Sequence, residues 1–179
     1  MPTELSPKAA EIVAHTRSLL VAGGFNSFSY ADLAVRVNIS KPSIHHHFPS
    51  KAVLVKTVVS LYRGEARAGL ASLEQQFDDP LSELNAYADY WAACIRSGES
   101  PFCICAMLAT ELPTLPEDVA VEVRAHFHDL NTWLAGVLKR GAAAGQFHLL
   151  NSPAMSAPAF MAVVHGAMLM ARGLGGPKG

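Results

Sequence analysis

Three groups of residues have chemistry to offer. Lys41, Pro42, Ser43, Ile44, His45, His46 and His47 run consecutively and lead through Phe48 and Pro49 to Ser50 and Lys51. Short hydroxyl and cationic groups at the start of a short helix suit phosphates and base edges in a DNA major groove. A second group is apolar and soft: Tyr87, Tyr90, Trp91, then Phe102 and Met107, then Phe127, Trp133, Phe160 and Met168. Aromatic and thioether side chains of this kind build a core or line an apolar ligand pocket. His126, His165 and Glu111 are the candidate polar anchors beside them. The third group is Cys94, Cys103 and Cys105. An odd number of cysteines, with no secretory leader expected, argues against a disulfide framework. Read as one helix, Cys103 and Cys105 point about 200° apart, which disfavours a bond between them. Buried thiols are the plain reading. A thiol that senses oxidants or electrophiles, using Cys94, Cys103 or Cys105, is the sharper one.

Other chemistries find little support. Adjacent helical residues splay by about 100°, so His45, His46 and His47 cannot share one face, and no metal site is expected. There is no phosphate loop, nucleophile elbow, zinc-protease motif or dinucleotide fingerprint, so no catalytic residues and no cofactor are assigned and an enzyme is not expected. No stretch of about 18 uninterrupted apolar residues occurs. Residues 1–8 show no basic-then-apolar run. No membrane association is expected, and the cytoplasm is the expected location.

These groups need a scaffold, and the sequence reads as helical throughout, with no period-two strand pattern. Half of the 179 residues are hydrophobic and 16% are charged, ample material for a core. Ser6 before Pro7 starts a first helix that Gly23 and Gly24 stop. Ser29 with Asp32 forms a capping-box-like start to a second, which Asn38 ends in a left-handed turn. Ser40 opens a third helix of two turns that ends before Pro49. Ser50 caps a long helix to about Gln76. A fifth runs from Pro80 to about Ser97, where Gly98 to Pro101 breaks it. A short helix from Phe102 to Glu111, a long one from Glu117 to Ala144 and a last one from Pro153 to Arg172 complete the chain, with a frayed tail expected from Gly173 to Gly179. Leu33, Val37, Ile39, Ile44 and Phe48 face inward in the second and third helices, leaving Lys41, Ser43, His45 and His46 outward. The fold class is all-α: a three-helix helix-turn-helix domain over residues 1–50, then a helical domain over 51–179.

Charge follows the same division. Residues 1–63 hold seven Lys/Arg against three Asp/Glu, and residues 64–179 hold seven against twelve. Only the first part is suited to a polyanion.

The run from Gly24 and Phe25 through Ser29 to Ala34, and from Asn38 to Lys51, resembles the signature of the tetracycline-repressor (TetR/AcrR) family. The resemblance implies a DNA-binding transcriptional regulator, expected to be a ligand-released repressor on a palindromic double-stranded operator. It places Ser29 and Tyr30 beside phosphates at the start of the second helix. Lys41, Pro42 and Ser43 lead into the groove, and Lys51 meets a phosphate. His45 stands where the family usually carries a phosphate-binding Tyr, and Ala31 lacks a long polar side chain often found there. The resemblance also implies a cavity for a small apolar or aromatic inducer, assigned to Tyr87, Trp91, Cys94, Cys103, Met107 and Trp133. The last two long helices carry the expected homodimer interface. The final one is apolar nearly all round, as a helix buried on two sides must be.

Overall fold

The computed structural model describes residues 5–98 and 102–175. The described residues form eight α-helices and no strand: α1 Pro7–Gly23, α2 Tyr30–Val37, α3 Lys41–His47, α4 Lys51–Gln76, α5 Pro80–Ser97, α6 Ile104–Ala109, α7 Glu117–Ala143 and α8 Pro153–Gly173. The expected break at residues 99–101 and the end of the expected tail, 176–179, lie outside the described residues. The helices fall into two compact units that are discontinuous in sequence. One comprises residues 1–63 and 104–124, the other 64–103 and 125–179. The division at residue 50 follows the motif, whereas these units follow packing.

Local hydrogen bonding explains where the helices of the first unit begin and end. Ser6 Oγ accepts from Ala9 N, and Pro7 occupies the first turn, where its missing N–H costs nothing. Ser29 and Asp32 form the reciprocal capping box, the Ser29 N–H donating to Asp32 Oδ2 at 2.8 Å. These bonds to Ser29 hold the Asp32 carboxyl below its usual range. Asn38 closes α2 at φ 52°, ψ 49°, a left-handed turn that Asn tolerates well. Ser40 caps α3 through Ser43 N, and the Ser40 and Ser43 hydroxyls lie 2.8 Å apart. Ile12, Leu20, Leu33, Ile44, Leu54 and Val55 are fully buried, and they weld α1–α4 into one core. Thr16 joins them because its hydroxyl donates to the Ile12 carbonyl of its own helix at 2.7 Å.

A long-range clamp completes this unit. Glu111, expected as a polar anchor for a ligand, belongs here instead. Its carboxylate accepts from Phe25 N at 2.5 Å, Asn26 N at 3.0 Å and Asn26 Nδ2 at 2.9 Å. It thereby caps the 3-10 turn Phe25–Ser27 that follows α1. Gly24 sits at φ 82°, and a Cβ there would run into the Glu111 carboxylate. Gly24→Ala therefore combines backbone strain with a displaced cap. We expect a loss of about 1–3 kcal/mol, read from the urea midpoint. Wild-type stability in that variant would show that the clamp yields freely.

The second unit is built on α5, the later part of α7, and α8. Leu84, Tyr87, Leu130, Trp133, Leu134, Val137, Leu138 and Ala157 form its core cluster, with Trp91, Phe160, Met161 and Val164 packed against it. Trp133, Leu134, Val137 and Leu138 of α7, one of the two helices expected to carry the dimer interface, are thus core residues of a single chain. Helix α6 begins at Ile104, two residues later than expected, so Cys103 precedes the helix and the angular argument for the cysteine pair does not apply. Helix α8 is long and apolar enough to cross a bilayer by length and composition, yet Ala157 and Met168 on its inner face are buried in protein.

Candidate functional site

The first unit presents one polar row. Lys41, Pro42, Ser43, His45 and His46 are exposed on α3, while Ile44 and Phe48 anchor that helix from beneath. Ser29 is exposed at the start of α2. A helix only two turns long needs external support to hold an outward face steady. Its Ser40 cap, Ile44 and the Phe48 N–H bonded to Ile44 O at 2.8 Å supply it. His45 Nδ1 donates to Pro49 O at 3.1 Å, and its ring meets Tyr30 edge-on at 4.8 Å. His46 and His47 meet edge-on with centroids 5.5 Å apart. His45 thus pairs away from the other two, which contact each other.

Two residues assigned to phosphates hold different positions from those expected. Tyr30 is turned inward and its hydroxyl donates to Phe48 O at 3.0 Å. Burial pushes that phenol up to about 12, so it stays a neutral donor. The Tyr30 side chain therefore positions the end of α3, and only its backbone remains near the helix start where phosphates are expected. Lys51 is half-buried. Its ammonium donates to the Phe28 carbonyl and lies over the Phe25 and Phe28 rings, 4.6 and 4.2 Å from their centroids. Desolvation pulls this ammonium below its usual range, opposed by the Glu111 and Asp32 carboxylates. Lys51 is thus a strut between α4 and the corner after α1, with two further N–H donors in its ammonium. Neither the clamp nor the strut was legible in the sequence. The Gly23–Gly24 stop marks a corner, but nothing near it points to a carboxylate 86 residues away.

In the second unit the structure brings Tyr87, Trp91 and Trp133 into one cluster. The Tyr87 and Trp133 rings are 5.2 Å apart, and Trp91 lies one turn further along α5. Burial raises the Tyr87 phenol well above its usual range. Cys103 is fully buried, with Sγ 3.8 Å from His126 Nε2, so His126 faces a thiol. Cys94 is half-buried and Cys105 fully buried, and no disulfide joins the three cysteines. Of the assigned ligand residues, Met107 belongs to the first unit, and Tyr87, Trp91, Cys94, Cys103 and Trp133 belong to the second. His165 packs against Phe127 with ring centroids 5.5 Å apart. Missing from the sequence assignment is Glu83, buried one turn before Tyr87 and paired with Arg140.

Known proteins share both parts of the chain. Residues 12–58 match the bacterial regulatory proteins of the tetR family, and residues 80–178 match the tetracyclin repressor-like C-terminal domain. A TetR-family transcriptional regulator from Agrobacterium tumefaciens is 54% identical, with a TM-score of 0.90 over 92% of this chain and 87% of that one. A TetR transcriptional regulator from Legionella pneumophila is 26% identical, with a TM-score of 0.84 over 97% of this chain and 91% of that one. AibR, in complex with isovaleryl coenzyme A and operator DNA, shares the fold at 17% identity, with a TM-score of 0.75 over 90% of this chain and 85% of that one. No curated protein matches the chain. A short, externally braced helix-turn-helix joined to this C-terminal domain, with such identity over nearly the whole length, makes the chain a member of the TetR family of DNA-binding transcriptional regulators.

Proposed function

We propose that this protein is a ligand-released repressor that binds a palindromic operator as a homodimer in the cytoplasm. The observation that carries the reading is the exposed row Lys41, Pro42, Ser43, His45 and His46 on a helix whose other face is locked by Ile44 and Phe48. Those groups are short and polar, as base-edge and phosphate contacts require. The basic excess of residues 1–63 supplies the attraction to the polyanion. The outward side of α8 supports the dimer. Met155, Val163, Leu169 and Met170 are all more than half exposed on a helix with no charged residue before Arg172. A second copy meeting the same face would bury it and pair the two recognition helices across a two-fold axis, with half-sites roughly 34–36 Å apart.

Reversible ligand occupancy is the proposed trigger, with Tyr87, Trp91, Cys94, Cys103 and Trp133 at the sensing site and Met107 beside them in sequence. Complete burial of Cys103 and Cys105 weighs against oxidant chemistry at those thiols. AibR, which shares the fold, was captured with both an acyl-coenzyme A and operator DNA. A ligand releases DNA only by favouring a conformation whose recognition helices no longer match the groove spacing. Helix α4 contributes residues to both compact units and is the lever proposed for that change.

Gel shifts at stated salt test the DNA half. Lys41→Ala and Ser43→Ala should change preference among operator variants. Lys51→Ala and Lys51→Met should weaken all sequences alike and make the salt slope shallower by about one. Lys51→Met keeps an apolar stem between Phe25 and Phe28, so it separates the charge from the strut. An unchanged slope in both Lys51 variants would reject the phosphate contact and leave the strut alone.

A further inference from the structure

The exposed face of α3 holds a ring whose tautomer is fixed from within the chain. His45 Nδ1 lies 3.1 Å from the Pro49 carbonyl oxygen. A carbonyl only accepts, so Nδ1 carries the proton, and in the neutral ring Nε2 is then a bare acceptor. The ring is exposed, and Tyr30 meets it edge-on with its own hydroxyl committed to Phe48 O. Among the described residues Nε2 has no hydrogen-bond partner. Its position on the helix follows from the core beneath. Ile44 and Phe48 set the inward direction of α3. At about 100° per residue, His46 points directly away from them with Pro42 and Ser43 to either side, and His45 lies on the flank toward α2. A helix lying in a DNA groove meets base edges with its outermost row and the phosphates of the groove walls with its flanks.

We infer that His45 contacts DNA as an imidazolium: a proton from solvent binds Nε2 as the complex forms, and Nε2–H donates to a phosphate on the groove wall. In the neutral ring the Nε2 lone pair would face a phosphate oxygen, acceptor against acceptor. Protonation turns that atom into a charged donor and leaves the Nδ1–H bond to Pro49 O in place. The brace at the end of α3 thus holds in both charge states, and only the outward contact changes. No neighbouring carboxylate competes for the proton. From α2 the facing titratable group is Tyr30, whose buried phenol stays neutral, and Asp32 on that helix is bonded back to Ser29. At the start of α4, Lys51 turns its ammonium to Phe28 O and the Phe25 and Phe28 rings. On α3 itself Lys41 stands one turn before His45, and His46 and His47 contact each other. DNA is therefore the anion that would hold the proton. The inference rests on the DNA-binding reading and adds the charge state of one contact.

The test uses the full chain and a duplex that the wild-type protein itself selects from a random-sequence pool. Between about pH 8 and about pH 6, wild-type affinity for that duplex is expected to rise roughly tenfold per bound recognition helix, and the salt slope to steepen by about one. His45→Gln keeps a donor near the Nε2 position but takes no proton, so it should lose that rise. His45→Arg is charged throughout, so it should already bind more tightly than wild type at about pH 8 and show no rise. Both variants lose the bond to Pro49, so a purely structural role would weaken the two alike at every pH. Calorimetry in two buffers of different ionisation enthalpy should show proton uptake by wild type and none by either variant. A rise that persists in both variants would place the proton on another group and overturn the inference. Affinity that ignores pH would also overturn it, as would affinity that falls in acid, the sign expected if Nε2 accepts from a base amine. In each of those outcomes selective binding remains and the DNA reading stands. Selection of no duplex by wild type would reject the DNA reading, and this contact with it.

Discussion

A variant carrying Val163→Asp and Met170→Asp is expected to sediment as a monomer and to lose roughly 10²- to 10⁴-fold in operator affinity. The loss follows from converting a bivalent contact into two independent weak ones. Val163 and Met170 are 70% and 61% exposed in the single chain, so two carboxylates there cost little in the monomer. In a two-fold dimer each substitution appears twice, and the four charges would be desolvated against an apolar surface without partners. Met161 and Val164 on the same helix are unsuitable probes because they pack on the core around Tyr87 and Trp133. Charging them would unfold the unit and imitate a broken dimer. Sedimentation and circular dichroism on the same sample separate the two. A folded double variant that remains dimeric would place the interface elsewhere.

Arg140→Ala should cost about 2–3 kcal/mol, a large share of the roughly 5–15 kcal/mol that holds an ordinary domain together. Glu83 is 1% exposed and its Oε2 receives the Arg140 guanidinium. Glu83 Oε1 has no partner, so removing Arg140 leaves the whole carboxylate uncompensated. Arg140 itself is nearly half exposed and also approaches Glu74 at 3.9 Å, which is why the figure sits below that of a fully buried pair. Replacing the acid as well should recover most of the loss. In Glu83→Gln with Arg140→Ala a neutral amide occupies the same space, and the urea midpoint should return to within about 1 kcal/mol of Glu83→Gln alone. Additive losses in that cycle would show that the pair is not coupled and that Arg140 acts through its packed stem.

Elements whose signals lie within a few residues of one another are legible in the amino-acid sequence. Ser6 with Pro7, Ser29 with Asp32, Asn38 and Ser40 each satisfy or end a helix through bonds spanning four residues or fewer. Such bonds depend on neighbouring side-chain types, so sequence alone determined the helix-turn-helix and which face of α3 points outward. The sequence likewise showed α8 to be apolar nearly all round.

What tertiary structure alone decided involves partners far apart in sequence. Tyr30 and Lys51 have polar tips that suit phosphate equally well, yet packing brought a carbonyl within reach of each, from Phe48 and Phe28. Glu111 found three N–H donors at the end of α1, which made it a structural cap. Composition could nominate Trp133 as an aromatic of the second unit but could not show that its indole N–H is enclosed without a hydrogen-bond partner. Nor could periodicity choose between the two apolar faces of α8, because burial of one depends on α5 and α7, while the other is left exposed among the described residues. The physical reason is common to all four cases: a local bond is specified by residue type and spacing, whereas a distant one exists only once the core has brought its donor and acceptor together.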